Sequence, residues 1–246
     1  MPHEIHPSNS RGSANYGWLQ THYSFSFADY YNPARMGFGA LRVLNDDYIE
    51  AGRGFGMHPH QDMEIITIPL SGVLAHKDSM GYETEIRAGE VQMMSAGTGI
   101  RHSEINPSLV DPCTLLQIWI SPRAQGLSPR YQQKALVPPE QGSVIVASPQ
   151  GEGGSLSIAQ DAWITWYQGP SLSLHNYTLH NSGNGLYVFI IEGRVNKIDP
   201  QLKSPTLETL LGPRDALALY GINTPVQFQV GGNQAASFLI FEVPQG

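Results

Sequence analysis

The sequence predicts an all-β protein built from two β units of similar size. Short runs of β-branched and aromatic residues recur with turn residues between them, at roughly the 8–12-residue spacing typical of sandwiches and barrels. No window carries a sustained helical stripe of apolar residues. Glycine (26) and proline (18) make up nearly a fifth of the 246 residues without a regular period, so many turns must separate many short elements.

The first half of the chain contains seven predicted strands, each rich in β-branched or aromatic residues and bounded by glycine, proline or Asn/Asp clusters. They are 38–43, 63–69, 73–77, 84–88, 91–94, 100–105 and 114–120. Residues 121–140 are rich in proline and have no strong period of either kind. This segment is therefore predicted to be a linker.

The second half resumes the same rhythm of short strands. They are predicted at 143–147, 162–167, 171–179, 186–191, 194–198, 216–220, 226–230 and 236–243. The tripeptide Leu70-Ser71-Gly72 ends one run much as Ile191-Glu192-Gly193 ends another, and each is followed by a further β-prone run. This echo indicates an internal duplication, and we expect one domain over 1–135 and a second over 136–246.

The composition excludes several functions. The net charge of −7 and the pI near 5.7 repel phosphate backbones and anionic lipid surfaces, so direct nucleic-acid binding is not expected. A single cysteine, Cys113, forbids an intrachain disulfide, a Cys-x-x-Cys pair and a thiolate zinc cage. No run approaches the roughly 18 apolar residues of a membrane span. We expect a soluble, cytoplasmic protein, with a monomer as the default state.

Two histidines in the segment from Gly52 to Gly72 can meet one ion. His58 and His60 are two residues apart, so in an extended strand both imidazoles leave the same face. The same parity puts Asp62 and Glu64 on that face. A His-x-His pair alone is a weak motif, because it arises by chance in many chains.

A second segment, 42 residues downstream, repeats the spacing. His102 and Glu104 offer another nitrogen and a carboxylate oxygen from one face of a second strand. Two such strands inside a small barrel would give three imidazoles and one carboxylate around a point, with positions open for substrate or dioxygen. Such a set suits Fe(II), but also Mn, Co, Ni, Cu or Zn, because ligand type narrows the metal without naming it.

The two segments resemble the two motifs of cupin domains, the first in Gly52, His58, His60 and Glu64, the second in Gly89, Gly97 and Asn106. Residues 17–106 include GWLQTHYSFSFADYY, GFGMHPHQDMEIIT and VQMMSAGTGIRHSE, and closely resemble the pirin family, most of all its bacterial members with quercetin 2,3-dioxygenase activity. The resemblance implies two jelly-roll cupin domains. It also implies the metal ligands His58, His60, His102 and Glu104, and a C-terminal cupin-like domain without that ligand set.

The sequence departs from the general cupin pattern around the second motif. Ser95 replaces the consensus proline, and two extra residues separate Gly97 from His102. This shift lets Glu104 take the place of the usual first-motif glutamate. The resemblance therefore implies that Glu64 is a hydrogen-bond partner near the metal rather than a ligand.

Other polar residues are expected to be structural. His76 and Asp78 share strand parity and are assigned to polar contacts beside a turn. His175 and His180 are five apart and point to opposite faces of a regular strand. Cys113, beside an apolar run, is expected to be an inert core thiol. Structural roles are also expected for the remaining candidates: His3, His6, His22 and Asn106.

Two functions of different classes follow. The first is a mononuclear metal-dependent dioxygenase. By its resemblance to quercetinases, it would open a flavonol such as quercetin with O₂ and release carbon monoxide, with Glu104 as metal ligand and as base for the flavonol hydroxyl proton. The second is a metal- or redox-responsive regulatory protein that binds a protein partner, as eukaryotic pirins do. A third possibility is that flavonol cleavage is incidental to another physiological substrate.

Overall fold

The computed structural model describes residues 2–136, 140–198 and 209–245. The strands of the first half are β1 (His3–His6), β2 (Gly12–Asn15), β3 (Leu19–Tyr23), β4 (Leu41–Ile49), β5 (Gly54–His60), β6 (Glu64–Ser71), β7 (Val73–Asp78), β8 (Glu83–Arg87), β9 (Glu90–Ser95), β10 (Ile100–Ile105), β11 (Cys113–Ile120) and β12 (Arg130–Ala135). Those of the second half are β13 (Gly142–Ser148), β14 (Leu156–Ser157), β15 (Trp163–Gly169), β16 (Leu174–Tyr177), β17 (Asn184–Glu192), β18 (Arg194–Ile198), β19 (Thr209–Leu211), β20 (Ala216–Leu219), β21 (Val226–Gly231) and β22 (Ala236–Pro244). Two short 3₁₀ turns occur at Ser8–Ser10 and Glu152–Gly154.

The predicted all-β class is confirmed, and the described residues cluster into two compact units. The N-terminal unit comprises Arg11–Leu136 and Leu156–Gln160. The C-terminal unit comprises the described residues within 1–10, 137–155 and 161–246. This division differs from the predicted domains 1–135 and 136–246 at two places, because a short N-terminal strand and a five-residue return segment each group with the other half of the sequence.

Two antiparallel sheets form the N-terminal unit. The larger has the order β12-β9-β6-β11-β4-β3-β2 and the smaller has the order β5-β10-β7-β8. The sheets pack face to face, since one buried cluster joins Leu19 and Leu115 of the larger sheet to Leu74 and Ile86 of the smaller. Its buried apolar side chains supply the main stabilisation of the unit.

The C-terminal unit repeats this arrangement. Strands β1-β20-β17-β22-β15-β13 form its larger sheet and β16-β21-β18-β19 its smaller one. In chain order, β15, β17, β20 and β22 occupy the places of β4, β6, β9 and β11, and the two smaller sheets match strand for strand. The glycines of the echoed tripeptides make the same turn, with φ of +74° at Gly72 and +76° at Gly193. The shared topology supports the predicted duplication.

The predicted linker and several strand predictions were wrong. Residues 130–135 of the linker form β12, which pairs with β9 in the larger sheet. Positions 137–139 of the linker lie outside the described residues. Only the last three residues of the run predicted at 38–43 are strand, because 38–41 form a turn closed by Phe38 and Leu41, and the strand continues through the Asn45-Asp46-Asp47 sequence to Ile49. Strands β1, β2, β3, β14 and β19 were not predicted, and β5 was assumed only for its histidines.

No helix among the described residues has the length and apolar character that a membrane span requires. Cys113 is fully buried, and burial raises the pKa of its thiol to about 11. The thiol is therefore un-ionised at neutral pH, as predicted for a core cysteine.

Candidate metal centre

Three histidines meet on the inner face of the smaller N-terminal sheet. His102 of β10 stands opposite His58 of β5 in the antiparallel register, and His60 follows two residues later on the same face. One nitrogen from each imidazole lies within 4.8 Å of the others. The ring centroids are 4.4 Å apart for His58 and His102 and 4.9 Å apart for His60 and His102. The predicted convergence of two distant segments is present for the histidines.

Two imidazoles of this cluster, those of His60 and His102, are held neutral. Burial, followed by the neighbouring imidazoles, lowers the pKa of His60 to about 4. The same causes lower the pKa of His102 to about 3. A neutral imidazole keeps one nitrogen lone pair free, and that lone pair is what a metal ion requires. His60 and His102 therefore present lone pairs without positive charge at neutral pH.

Hydrogen bonds select which nitrogens face the centre. His58 Nδ1 is 2.7 Å from the carbonyl oxygen of Gly56, so Nδ1–H donates there and Nε2 keeps its lone pair. His102 Nε2 is buried and has no hydrogen-bond partner in the protein. A buried nitrogen without a partner costs free energy unless a ligand satisfies it. These residues fit a divalent transition-metal ion bound through imidazole nitrogens.

Glu104 lies on the same strand as His102 but is not part of the three-histidine cluster. Its side chain is buried and accepts hydrogen bonds from Gln117 Nε2 at 3.0 and 3.2 Å. The Thr67 hydroxyl is 2.9 Å from Gln117 Oε1 and supports that amide. The carboxylate is thus fixed by the larger sheet, inside the unit and near His60, where its negative charge offsets a small part of the lowering of the His60 pKa.

Neither carboxylate that parity placed beside His58 and His60 joins the cluster. Strand β5 ends at His60, and Asp62 adopts a positive φ of 48° in the following turn, where Oδ1 accepts from the Gly126 amide at 2.7 Å. Glu64 is buried on β6, and its Oε2 accepts from Ser95 Oγ at 2.9 Å and from the amide of Ala159 at 3.1 Å. The prediction for Asp62 was wrong because the strand ends two residues before it.

The sequence analysis missed the place of His76 and Asp78. Asp78 does make the predicted turn contacts, since its Oδ1 accepts from the amides of Met80 and Tyr82. However, His76 Nδ1 is 3.5 Å from His102 Nδ1, and His76 Nε2 is 3.1 Å from Asp78 Oδ2. The available signal was the shared parity of this pair on a strand next to that of His102.

An aromatic-lined cavity of about 280 Å³ lies beside the cluster. Its walls include five aromatic side chains, namely Tyr16, Trp18, Tyr23, Phe27 and Phe55. The Phe55 ring is 6.3 Å from that of His58, and Phe27 contacts Trp119, which in turn contacts His60. The cavity wall therefore contacts the histidine cluster through Phe55.

Polar atoms at the wall of this cavity have no partner. Asn45 and Asp47 project from one face of β4, and Asn45 Oδ1 and Asp47 Oδ1 are buried without a hydrogen bond in the protein. Burial raises the pKa of Asp47 to about 7. Aromatic walls with a few unpaired polar atoms are typical of sites for small ligands. The sequence analysis missed both residues, because an Asn/Asp cluster was interpreted as a turn.

A separate opening of about 470 Å³ is lined by His60 together with Ser79, Gly99 and Arg101. His60 is partly exposed, whereas His102 is buried. The candidate centre is therefore not sealed, and His60 borders the surface.

The C-terminal unit carries apolar residues where the N-terminal unit carries His102 and Glu104. The fourth residue after Gly72 is His76, which pairs with Glu104, and the fourth after Gly193 is Lys197, which pairs with Phe228. Phe228 thus corresponds to Glu104, and Val226, two residues earlier, to His102. Both Val226 and Phe228 belong to the apolar core of that unit.

Comparison with known proteins agrees with this architecture. Residues 5–120 match the family described as Pirin, and residues 145–243 match the family described as Quercetinase C-terminal cupin domain. The crystal structure of the bacterial pirin YhhW in complex with nickel(II) from Escherichia coli superposes with a TM-score of 0.90 at 38% identity, covering 100% of both chains.

Curated relatives of this chain are named as quercetin 2,3-dioxygenases. Quercetin 2,3-dioxygenase of Escherichia coli K12 is 55% identical over 157 residues, which are 64% of this chain and 68% of the relative. A Pasteurella multocida protein, to which the same activity is assigned provisionally, is 39% identical over 230 residues, 92% of each chain. The chain is a two-domain cupin protein with a candidate histidine metal site in its N-terminal domain. It belongs to the pirin family.

Proposed function

We propose that this protein is a metal-dependent dioxygenase that cleaves a flavonol such as quercetin with O₂ and releases carbon monoxide. The observation that supports it most directly is a three-histidine cluster beside an aromatic-lined cavity, in a chain 55% identical over 157 residues to a quercetin 2,3-dioxygenase. Both oxygen atoms of O₂ enter the ring-opened product, and one carbon of the heterocycle leaves as carbon monoxide, so no external reductant is needed.

Each group of the site has a proposed role. His58, His60, His102 and Glu104 would hold one divalent transition-metal ion, for which Fe(II) is our first choice among Fe, Mn, Co, Ni, Cu and Zn. Such an ion supplies positive charge that stabilises an ionised substrate hydroxyl, together with redox chemistry toward O₂.

The chain's own residues orient the substrate and move its proton. The aromatic walls around Phe27 and Phe55 stack against a planar ring and exclude water from it. Unpaired Asn45 Oδ1 can accept a hydrogen bond from a phenolic hydroxyl. Glu104, oriented by Gln117, accepts the proton of the flavonol hydroxyl. A polyhydroxylated planar aromatic matches both the aromatic and the polar side chains of the cavity wall.

The test compares His60→Ala with a matched control, His22→Ala, which removes an exposed histidine from β3 of the same unit. Metal per chain is measured first, and loss of quercetin absorbance under air and carbon monoxide release are then followed. We expect the His60→Ala protein to lose metal and turnover, while His22→Ala keeps both. Of these two histidines, His60 belongs to the cluster and His22 does not.

Two outcomes contradict the proposal in different ways. Full metal content and turnover in His60→Ala would remove the cluster from the mechanism. A wild-type protein that binds metal but does not consume the flavonol would be consistent with the metal centre and would favour the regulatory function. In that function the same ion changes the electrostatic field at the surface and alters the interface with a protein partner.

A further inference from the structure

A chain of three buried side chains runs from the candidate centre into the smaller sheet. His102 Nδ1 faces His76 Nδ1 at 3.5 Å, and His76 Nε2 faces Asp78 Oδ2 at 3.1 Å. The side chains of His76 and Asp78 are both 0% exposed. In the register of β10 and β7, Asp78 stands opposite His102 and His76 opposite Glu104, so the sheet itself holds the three groups together.

The nitrogen atom through which His102 binds the metal determines where the ring protons of His102 and His76 lie. His102 Nε2 is the nitrogen without a partner, so a metal bound there requires the ring proton on Nδ1. That Nδ1–H can donate only if His76 Nδ1 accepts, which places the proton of His76 on Nε2. His76 Nε2–H then donates to the Asp78 carboxylate. Every donor in the chain meets one acceptor.

We propose that Asp78, acting through His76, fixes the tautomer of His102 that binds the metal. The two are positioning residues, because neither touches the ion or the substrate. Metal-ligating histidines commonly donate their second ring N–H to a carboxylate or carbonyl that orients them. Here a second imidazole lies between the ligand and the carboxylate. The inference rests on the metal centre of the proposed function but does not require flavonol cleavage.

The substitution Asp78→Asn reverses the chain while sparing the turn. Asn keeps an Oδ1 that accepts from the amides of Met80 and Tyr82, but its NH₂ faces His76 where Oδ2 stood. His76 Nε2 must then accept, which moves the His76 proton to Nδ1 and forces His102 to accept at Nδ1. The remaining proton of His102 then sits on Nε2, the atom that the metal requires.

The experiment measures nickel(II) affinity on the full-length chain after metal removal by chelation. We expect Asp78→Asn to bind nickel about 10–100-fold more weakly than the wild type, the range found when an outer hydrogen-bond partner of a metal ligand is removed. Ring ¹⁵N NMR of the metal-free and zinc-loaded protein reports the tautomer directly. We expect His102 to carry its proton on Nδ1 in the zinc-loaded wild type and on Nε2 in metal-free Asp78→Asn.

Three further variants separate the tautomer effect from simple destabilisation. Glu83→Gln changes an exposed carboxylate on the adjacent strand β8 and should leave the nickel dissociation constant unchanged. His76→Leu removes both links and should weaken nickel binding as Asp78→Asn does. His76→Gln keeps one acceptor and one donor on a planar amide and should recover part of the lost affinity. This ordering still decides the proposal if Asp78→Asn does not fold.

Equal nickel dissociation constants in the wild type, Asp78→Asn and His76→Leu would overturn the inference, as would an unchanged His102 tautomer in folded Asp78→Asn. A wild-type protein that binds nickel but leaves quercetin intact with every metal tested would overturn the proposed function alone. The two failures are therefore distinguishable.

Discussion

Several buried polar atoms without hydrogen-bond partners lie at the candidate centre or at the wall of the aromatic-lined cavity. His102 Nε2, Asn45 Oδ1, Asp47 Oδ1 and Trp119 Nε1 all lack a hydrogen bond within the protein. Each such group costs about 1–3 kcal/mol when it stays unsatisfied, so a chain selected only for stability would replace them with apolar side chains. Unsatisfied buried atoms of this kind fit a site that binds a metal ion, water or substrate.

Substitutions of Glu104 and Glu64 should differ in their effects on metal binding and turnover. We expect Glu104→Gln to weaken metal binding at least about 10-fold and to abolish flavonol cleavage, because it removes the proposed anionic ligand and base. Glu64→Gln should retain one metal per chain and most turnover, because the amide oxygen can still accept from Ser95 and Ala159. Metal titration of both variants checks this. Loss of the ion in Glu64→Gln with retention in Glu104→Gln would exchange their roles.

Asp47 makes the stability of the metal-free protein depend on pH. Burial raises its folded pKa to about 7, whereas the unfolded value is near 4. The folded state therefore binds the extra proton, and stability falls as pH rises from about 4 to 7. We expect Asp47→Asn to remove this loss, with a gain in the free energy of unfolding that grows over that range and levels off above pH 7, on the order of 4 kcal/mol.

Urea denaturation of the metal-free protein at several pH values measures this gain. Asp46→Asn is the matched control on the same strand, since Asp46 pairs with Arg11 at 3.3 Å. The control should gain nothing at pH 8. A pH-independent effect of Asp47→Asn would show that Asp47 ionises normally in the folded protein.

At the scale of strands, the sequence predicted those elements whose apolar residues dominate. Strands β6, β11, β17 and β22 lie inside the larger sheets and are nearly continuous runs of buried β-branched and aromatic residues. Such runs have few alternatives to a buried strand. Their bounds were correct within two residues.

Most of the strands that the sequence analysis missed have polar or glycine-rich sequences. Strand β12 reads RYQQKA and lies at the end of its sheet, so its polar composition resembles a loop. The prediction for strand β4 ended before Asn45, although the polar side chains of this strand that follow line the cavity. A residue kept for a ligand breaks the apolar pattern from which strands are predicted, so prediction fails most where the site lies.

The candidate site was predicted to a similar degree. The i, i+2 spacing placed His58 and His60 on one face of their strand, because strand parity is a local property, and the resemblance to pirins brought His102 to them. It did not suffice for Asp62, since the end of β5 depends on the turn that follows. Nor could it find the contact of His76 with His102, because the neighbour of a strand in a sheet is decided by topology.

At the scale of the whole molecule, the duplicated units have diverged in their interiors. The N-terminal unit keeps His102 and Glu104 where the C-terminal unit has Val226 and Phe228. Filling a site with apolar side chains stabilises a unit by removing unpaired polar atoms and burying more apolar surface. At these two positions one unit of the pair thus carries polar side chains suited to a ligand, and the other carries apolar side chains of its core.

His175 tests this asymmetry. Its ring packs beside Tyr167 and Phe238 in the C-terminal unit, its Nε2 is buried without a partner, and burial lowers its pKa. We expect His175→Phe to keep one metal per chain and an equal or higher Tm, because phenylalanine removes an unpaired nitrogen from an apolar core. The same substitution at His58 should abolish metal binding. A metal content that falls in His175→Phe would place an ion in the C-terminal unit, and the division of labour between the units would then be wrong.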